Sequence, residues 1–169
     1  QVVERLVEVD GLDVNQARTD IVATPLFIAC DVGCVEVVER LLEVAGLDVN
    51  QACTDNGRTP LYVACAYGRV RVVEHLLEVA GLDVNQARTD NGATPLFIAC
   101  RGGHVEVVKR LVQVHGLDVN KARSCGCTPL HAALADVTDS SASMTSDMIA
   151  RDKNSVELLE RLLEVDGLD

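Results

Sequence analysis

The chain has 169 residues, of which 48% are apolar and only 2% aromatic, and its formal net charge is −11. This length is typical of a single domain, and an interior with so few aromatic residues must consist mainly of Leu, Val, Ala and Cys. The acidic balance disfavours nucleic acid and anionic membrane surfaces as partners, because both are bound through Lys and Arg, and no apolar run is long enough to span a bilayer.

The first predicted elements are a helix over residues 1–9 and a loop over residues 20–23. Since the sequence begins without Met and within a repeating pattern, we expect it to be part of a longer array. The loop contains Ile21 and Val22 where later loops have Asn and Gly, and a β-branched residue is costly at positive φ. We therefore predict a different shape for this loop, whose apolar residues either contact a partner or pack on a preceding repeat.

A repeated pattern is built around Thr-Pro-Leu, which begins at Thr24, Thr59, Thr94 and Thr128 with spacings of 35, 35 and 34 residues. Gly-Leu-Asp-Val-Asn precedes each copy, and Val-Glu-Val-Val or a variant follows. A fixed period of this size indicates a stack of similar units, each of which buries its apolar side against its neighbours.

The third unit, over residues 85–119, illustrates the predicted elements. Asp-Asn-Gly at 90–92 predicts a turn, Thr94 is a good helix N-cap, and Pro95 suits the first helical position. A short inner helix over 96–100 should end at the two glycines that follow. A second, outer helix is predicted over 104–115, with inward apolar positions at Val105, Val108, Leu111 and Val112.

The fourth unit carries a predicted insertion of 17 residues, at about 137–153. The distance from the Thr of the inner helix to the Val of the outer helix is 11 residues in the third unit, Thr94 to Val105, and 28 in the fourth, Thr128 to Val156. The inserted residues are polar and rich in Ser and Thr. They form either a passive loop, which costs little stability, or an epitope, because insertions in repeat proteins map to loops on one face.

Three motifs resemble the ankyrin repeat family over nearly the whole chain. Residues 128–133 match Thr-Pro-Leu-His-x-Ala, Asp-Val-Asn recurs at 48–50, 83–85 and 118–120, and residues 103–108 are similar to the family's Gly-His-x-Glu-x-Val. The resemblance implies an all-α solenoid of stacked antiparallel helix pairs with hairpin-like loops. It also implies a non-enzymatic scaffold that binds a partner protein through a concave surface of hairpin tips and inner helices.

The sequence departs from the family pattern in its 35-residue period, in an Ala-Cys pair that replaces Ala-Ala in three units, and at His131. Phe27, Tyr62 and Phe97 stand at the position of His131 in the other units. In the family this His ties the Thr to the neighbouring turns, so three repeats must use packing instead. We predict one domain over 1–169, with a partial repeat at 1–14 and repeats at 15–49, 50–84, 85–119 and 120–169.

No motif for catalysis, cofactor binding or metal binding is present, and we expect none of these functions. Cys30, Cys65 and Cys100 recur at one repeat position, about 8–10 Å apart if the helices stack, which is too far for a disulfide. We interpret them as small buried residues, which fits a reducing, intracellular and cytoplasmic location. Cys125 and Cys127 flank one Gly and are interpreted as two exposed thiols rather than a zinc site, which needs a second pair of ligands.

The positions that the resemblance assigns to partner binding are the hairpin tips and the ends of the inner helices. The predicted residues are Asp20, Ile21, Asp31, Asp55, Asn56, Arg58, Tyr67, Asp90, Asn91, Arg101, Ser124 and Asp136. Tyr67 and the two Arg are the strongest candidates, because Tyr and Arg are enriched at binding hot spots.

The partner is expected to be a protein, with a basic one favoured by the charge, and not nucleic acid or a membrane. Terminal repeats without polar caps also predict end-to-end self-association. Two alternatives remain open. The chain is a structural spacer of a longer ankyrin array with its epitope elsewhere, or it is a substrate for hydroxylation at Asn15, Asn50, Asn85 and Asn120.

Overall fold

The computed structural model describes residues 5, 9, 11–19, 23–138, 156–157 and 160–162, apart from the side chains of 135–138. These residues form seven bounded helices and contain no strand. The helices are α1 (Pro25–Val32), α2 (Val35–Leu42), α3 (Pro60–Ala66), α4 (Val70–Leu77), α5 (Pro95–Arg101), α6 (Val105–Leu111) and α7 (Pro129–Thr138). The expected all-α solenoid fold is confirmed.

Each inner helix begins at the predicted Thr-Pro signal. In α1, α3 and α5 the Thr hydroxyl accepts a hydrogen bond from the amide three residues later, at 3.2, 3.0 and 3.1 Å. This bond satisfies one of the amides that a helix start leaves unpaired. The Pro that follows has no amide hydrogen and a fixed φ, so it fits the first turn without cost.

The outer helices are shorter than the sequence predicts. Helix α6 ends at Leu111 rather than at residue 115. After Leu111 the backbone forms i to i−3 bonds, from Gln113 to Arg110 (3.3 Å) and from Val114 to Leu111 (2.9 Å). The helix is thus replaced by tight turns that lead into Gly116, whose φ is 84°. Apolar periodicity alone does not distinguish such turns from a last helical turn.

The helices stack in two rows. The inner helices α1, α3, α5 and α7 contact one another in sequence, the outer helices α2, α4 and α6 do the same, and each of the first three inner helices contacts its own outer helix. The core therefore runs between the rows, through Leu26, Leu61 and Leu96 of the inner helices and Val38, Val73 and Val108 of the outer ones, all of which are buried. Each repeat completes the core of the next.

Asparagine side chains join consecutive repeats between the helix pairs. Asn50 donates from Nδ2 to the carbonyl of Gly81 at 2.7 Å, and its Oδ1 accepts the amide of Asp83 at 2.8 Å. Asn15 makes the same two bonds one repeat earlier and Asn85 one repeat later. The Asp-Val-Asn motif thus holds each unit to its successor at a fixed spacing.

The fourth unit differs at both ends of its inner helix. Its hairpin closes between Arg123 and Cys127, whereas the third closes between Arg88 and Ala93. One residue fewer in this loop accounts for the 34-residue spacing to Thr128. Helix α7 continues to Thr138, so residues 137 and 138 of the predicted insertion are helical, while residues 139–153 lie outside the described residues.

Candidate partner-binding surface

The tips of successive hairpins are bonded to one another. The carbonyl of Asn56 accepts the amide of Thr89 at 3.1 Å, and the carbonyl of Asn91 accepts the amide of Ser124 at 3.0 Å. Within each of these tips the Asn side chain forms the turn. Asn56 Oδ1 accepts from Arg58 N at 3.1 Å, and Asn91 Oδ1 accepts from Ala93 N at 2.9 Å. The second, third and fourth tips therefore form one connected row, which we call the tip row (residues 55–57, 90–92 and 124–126).

The exposed side chains of the tip row are the same in the second and third tips and differ in the fourth. Asp55 and Asp90 are exposed at equivalent positions, the fourth tip exposes Ser124 and Cys125, and the backbone bonds that join the tips recur. Arg88 pairs with Asp90, and its Nε lies 2.9 Å from Oδ1. This hydrogen bond lowers the pKa of the Asp90 carboxyl, so Asp90 stays ionised at neutral pH.

An Arg from each hairpin covers the aromatic ring of the preceding inner helix. The guanidinium carbons of Arg88 and Arg123 lie 5.6 and 5.0 Å from the ring centres of Tyr62 and Phe97. At this distance a cation attracts the ring face. The ring position is therefore held by packing under an Arg, as the sequence predicts for the repeats without the family's His.

In the second hairpin the Arg that covers the ring comes from the other of the two residues that close the hairpin. The second hairpin is closed by a bond from the Cys53 amide to the Arg58 carbonyl, and the third by a bond from the Arg88 amide to the Ala93 carbonyl. The Arg is therefore the second closing residue in one hairpin and the first in the other. Arg58 covers Phe27 at 5.6 Å and also donates from Nε to Asn56 Oδ1 at 3.1 Å. Arg58 is thus committed to the fold as well as being a predicted contact residue.

In the fourth repeat His131 replaces the aromatic ring, and it bonds to its own helix cap. Its Nδ1 lies 2.7 Å from the Thr128 hydroxyl and 3.3 Å from the Thr128 amide. The predicted structural role of this His, to hold the Thr in place, agrees with these bonds.

A second row of candidate positions follows the C-terminal ends of the inner helices, and we call it the helix-end row (residues 31–32, 66–67 and 101–102). Val32 and Tyr67 are large apolar side chains that remain 64% and 55% exposed. Arg101 is also exposed, and Asp31 is half-buried. The guanidinium of Arg69 lies 5.9 Å from the centre of the Tyr67 ring and donates from an Nη to the Asp31 carbonyl at 3.2 Å.

The helix-end row is also linked across repeats. His104 Nε2 lies 3.0 Å from the carbonyl of Ala66, which repeats the contact of Arg69 with Asp31 one unit later. Both residues lie directly before an outer helix. The prediction of the partner-binding residues did not include Arg69. Arg69 lies directly before α4, at the position that His104 occupies before α6.

A groove of about 440 Å³ lies at the first repeat. Its lining includes Arg18 and Ala23 of the first hairpin and Ile28, Val32 and Val37 of the first helix pair. Hairpin and helix side chains thus line one groove at this end of the described stack.

The predicted contact residues fall into three groups. Asp55, Tyr67, Asp90, Arg101 and Ser124 are exposed on the two rows, and Asp31, Asn56, Arg58 and Asn91 are half-buried there. Asp20, Ile21 and the side chain of Asp136 lie outside the described residues, as does Val22. The fold thus brings most of the predicted set together, although three of its members also stabilise the turns.

The described residues show no group of three or more His, Cys, Asp or Glu side chains that could hold a metal. Cys30, Cys65 and Cys100 are unpaired and buried, as the repeat position predicts, and burial raises the pKa of the thiols, to about 12 for Cys30 and Cys100. Within the part of the chain that the structure describes, no helix has the length and apolar content needed to cross a membrane.

Comparison with known proteins identifies a family but no individual relative. A family model described as ankyrin repeats (3 copies) matches residues 1–88 and, a second time, residues 79–169. The two matches together cover the whole chain. No curated protein matches it.

Proposed function

The chain belongs to the ankyrin repeat family, and from this membership we propose that it is a non-enzymatic scaffold that binds a partner protein through the tip row and the helix-end row. Ankyrin repeats are in general protein–protein interaction modules. The finer claims, which concern this chain's surface and partner, depend on the geometry of the two rows.

The observation that carries the proposal is the row of hairpin tips that are bonded to one another. Backbone bonds at 3.1 and 3.0 Å fix the tips relative to one another, so the row loses little backbone freedom on binding. Asp55 and Asp90 occupy equivalent positions, and Ser124 and Cys125 make the fourth tip different. A fixed row of exposed side chains suits recognition of a partner.

We infer a basic partner segment from the net charge of the chain. Asp55 and Asp90 are exposed on adjacent tips, and the chain carries a net charge of −11. Opposite charge on a partner would speed its encounter with the row and favour one orientation. Tyr67 and Val32 supply exposed apolar area beside these charges, and Tyr is a frequent anchor in interfaces.

The central test is the Tyr67→Ala variant. We expect it to weaken binding of a partner isolated with the full chain by about 2 kcal/mol, roughly thirty-fold in Kd, while the melting temperature changes little because Tyr67 is 55% exposed. Titration calorimetry measures the affinity. The matched control is His115→Ala, which removes an exposed ring outside both rows and should leave the affinity unchanged.

The charge contribution is tested separately by Asp55→Asn with Asp90→Asn. The pair should lower the association rate and its dependence on salt, because the charges act at a distance. Glu36→Gln with Glu78→Gln changes the net charge by the same amount on the outer helices. Equal effects of the two pairs on the association rate would show that the net charge, and not the tip row, steers the partner. Unchanged binding in all variants of the two rows would favour the spacer alternative.

A further inference from the structure

Cys125 and Cys127 form a pair of thiols at the tip of the fourth hairpin. The hairpin is closed by bonds from the Arg123 amide to the Cys127 carbonyl at 2.9 Å and from the Gly126 amide to the Arg123 carbonyl at 2.8 Å. Gly126 has a φ of 82°, which turns the chain sharply between the two cysteines. As a result, the two thiols lie close enough for each to shift the pKa of the other.

The two thiols of this pair have different environments. Cys125 is exposed and Cys127 is half-buried. The hydrogen bond from Cys127 lowers the pKa of the Cys125 thiol, and the same contact raises the pKa of Cys127. The neighbouring Arg123 also favours the Cys125 thiolate. Cys125 is therefore the better nucleophile, because the thiolate is the reactive form, and Cys127 keeps its proton within reach.

The other five cysteines lack this combination of exposure and a second thiol. Cys30, Cys53, Cys65 and Cys100 are buried, and burial raises the pKa of each thiol. Cys34 is half-buried, and its sulfur lies 3.8 Å from a carboxylate oxygen of Glu36 rather than from another sulfur. The chain thus contains both buried and partly exposed internal controls.

We propose that Cys125 and Cys127 are a redox modification site that hydroperoxides convert reversibly into an intramolecular disulfide. An exposed nucleophilic thiol next to a second thiol that can resolve it is the arrangement found in redox-sensing cysteines. Residues two apart in a tight turn have Cα atoms closer than about 7 Å, which is within the Cα separation that a disulfide spans.

The reaction balances in two steps. The Cys125 thiolate attacks one oxygen of the hydroperoxide, the O–O bond breaks, and the products are the Cys125 sulfenic acid and an alkoxide that takes up a proton to become the alcohol. The Cys127 sulfur then attacks the Cys125 sulfur, the S–S bond forms, and the S–O bond breaks. The Cys127 proton leaves with this oxygen as water. Two thiols lose two electrons in total, and the hydroperoxide gains them.

Closure of the disulfide would act on the tip row directly. The amide of Ser124, next to Cys125, donates to Asn91 of the third tip, so a change in the fourth tip is transmitted to the row, and it also reaches the core, against which Cys127 packs. This inference goes beyond scaffold function, and it can be tested without a partner protein.

The test exposes the reduced 169-residue chain to hydrogen peroxide in the presence of a chelator. We expect intact-mass analysis to show the loss of two hydrogen atoms, peptide mapping to locate a bond between Cys125 and Cys127, and dithiothreitol to reverse it. Cys127→Ser should stop at the Cys125 sulfenic acid, which dimedone traps. Cys125→Ser should oxidise at least about ten-fold more slowly, and Cys34→Ser should behave as wild type.

Three outcomes would overturn the proposal. Both thiols of wild type could remain open to alkylation after oxidation, the bond could link two chains, or Cys125→Ser could oxidise at the wild-type rate. Thermal melts check that the variants are folded. We expect their melting temperatures to change little, because Cys125 is exposed and Cys127 is half-buried.

Discussion

The cysteine that recurs in the inner helices is a packing residue between neighbouring repeats. Cys30, Cys65 and Cys100 are 0%, 0% and 2% exposed, and burial raises the pKa of the Cys65 thiol. Leu134 stands at the equivalent position of the fourth repeat and is 38% exposed, with no described inner helix beyond it. The small thiol is thus suited to a position between two stacked inner helices.

We expect Cys65→Ser to lower the free energy of unfolding by about 1–3 kcal/mol, because a hydroxyl without a partner is costly to bury. Urea denaturation followed by circular dichroism measures the change. The control is Cys34→Ser, which replaces a half-buried thiol and should cost less than about 0.5 kcal/mol. Equal losses in both variants would contradict the packing role.

The tip asparagines show why exposure and function are hard to separate at single positions. Asn56 and Asn91 belong to the predicted contact set, yet their side-chain oxygens accept the backbone amides that close the turns. Asp55 and Asp90, one residue earlier, are exposed, and Asp90 also pairs with Arg88. Substitution of Asp55 therefore tests binding most directly, whereas substitution of Asp90 or of the Asn residues tests the fold as well.

At the scale of helices and hairpins, an Arg placed over an aromatic ring joins each hairpin to the inner helix before it. In the third and fourth hairpins the Arg is the first of the two residues that close the hairpin, and in the second hairpin it is the second of them. Because the two positions are bonded across the hairpin, either one can direct a long side chain to the same ring. This contact keeps the ring position stable where the family's His is absent.

The residues that close the second hairpin, Cys53 and Arg58, allow a specific test of this contact. Arg58→Ala should destabilise the chain by about 1–2 kcal/mol, because Phe27 loses its cation and Asn56 loses a donor. Adding Cys53→Arg to this variant recreates the residue pair of the third hairpin and should recover most of the loss in thermal denaturation. Failure of the second change to recover stability would show that the two strand positions are not interchangeable.

Helix α6 carries an exposed ion pair whose effect on stability should depend on pH. The hydrogen bond from Lys109 to Glu106 lowers the pKa of the Glu106 carboxyl from its ordinary 4.5. A carboxyl with a lowered folded-state pKa stabilises the fold fully above its ordinary value, and this stabilisation disappears as the pH falls through the folded value. The contribution is therefore present at pH 7 and lost in acid.

We expect Glu106→Gln to lower the denaturation midpoint at pH 7, and we expect this effect to shrink as the pH falls below the ordinary carboxyl pKa of 4.5 and the folded state takes up the proton. Glu36→Gln is the matched control, because Glu36 occupies the same first-turn position in α2 but has Glu39 rather than Lys three residues later. A similar effect of both variants would assign the loss to the helix dipole.

For the whole molecule, the main contacts between the described helices run within a repeat and between neighbouring repeats. Helices α3 and α5 each contact the inner helix before and the one after, and the Asn bonds join consecutive units. Stability in such a stack is a sum over units and their shared surfaces. The central repeats have neighbours on both sides, so they should open least often.

Amide hydrogen exchange of the 169-residue chain should therefore be slowest in α3, α4 and α5 and faster in α1 and α7. Mass spectrometry of protected peptides measures the gradient. Leu61→Ala, which empties a fully buried position in α3, should cost about 2–5 kcal/mol and reduce protection in both adjacent repeats. Uniform protection along the stack would instead indicate a single cooperative unit.

The repeat period, the starts of the inner helices, the buried face and the family could all be predicted from the amino-acid sequence. These features follow from local signals, since a Thr cap, a Pro in the first turn and a Gly at the turn act within a few residues. The same signals placed the tips and helix ends that contain most of the candidate surface. They did not give the ends of the outer helices, where apolar periodicity continues into tight turns.

Which of the equivalent side chains hold the stack together follows from the packing of the units and not from the repeat pattern. The contacts of Asn15 with Gly46 and of Arg69 with Asp31 join residues 31 and 38 positions apart, and such contacts depend on how far and in which direction one unit is displaced from the next. The period gives the order of the units but not this displacement. The same limit applies to the two tip thiols, because the closed turn, rather than the spacing of Cys125 and Cys127, brings them near enough for each to shift the pKa of the other.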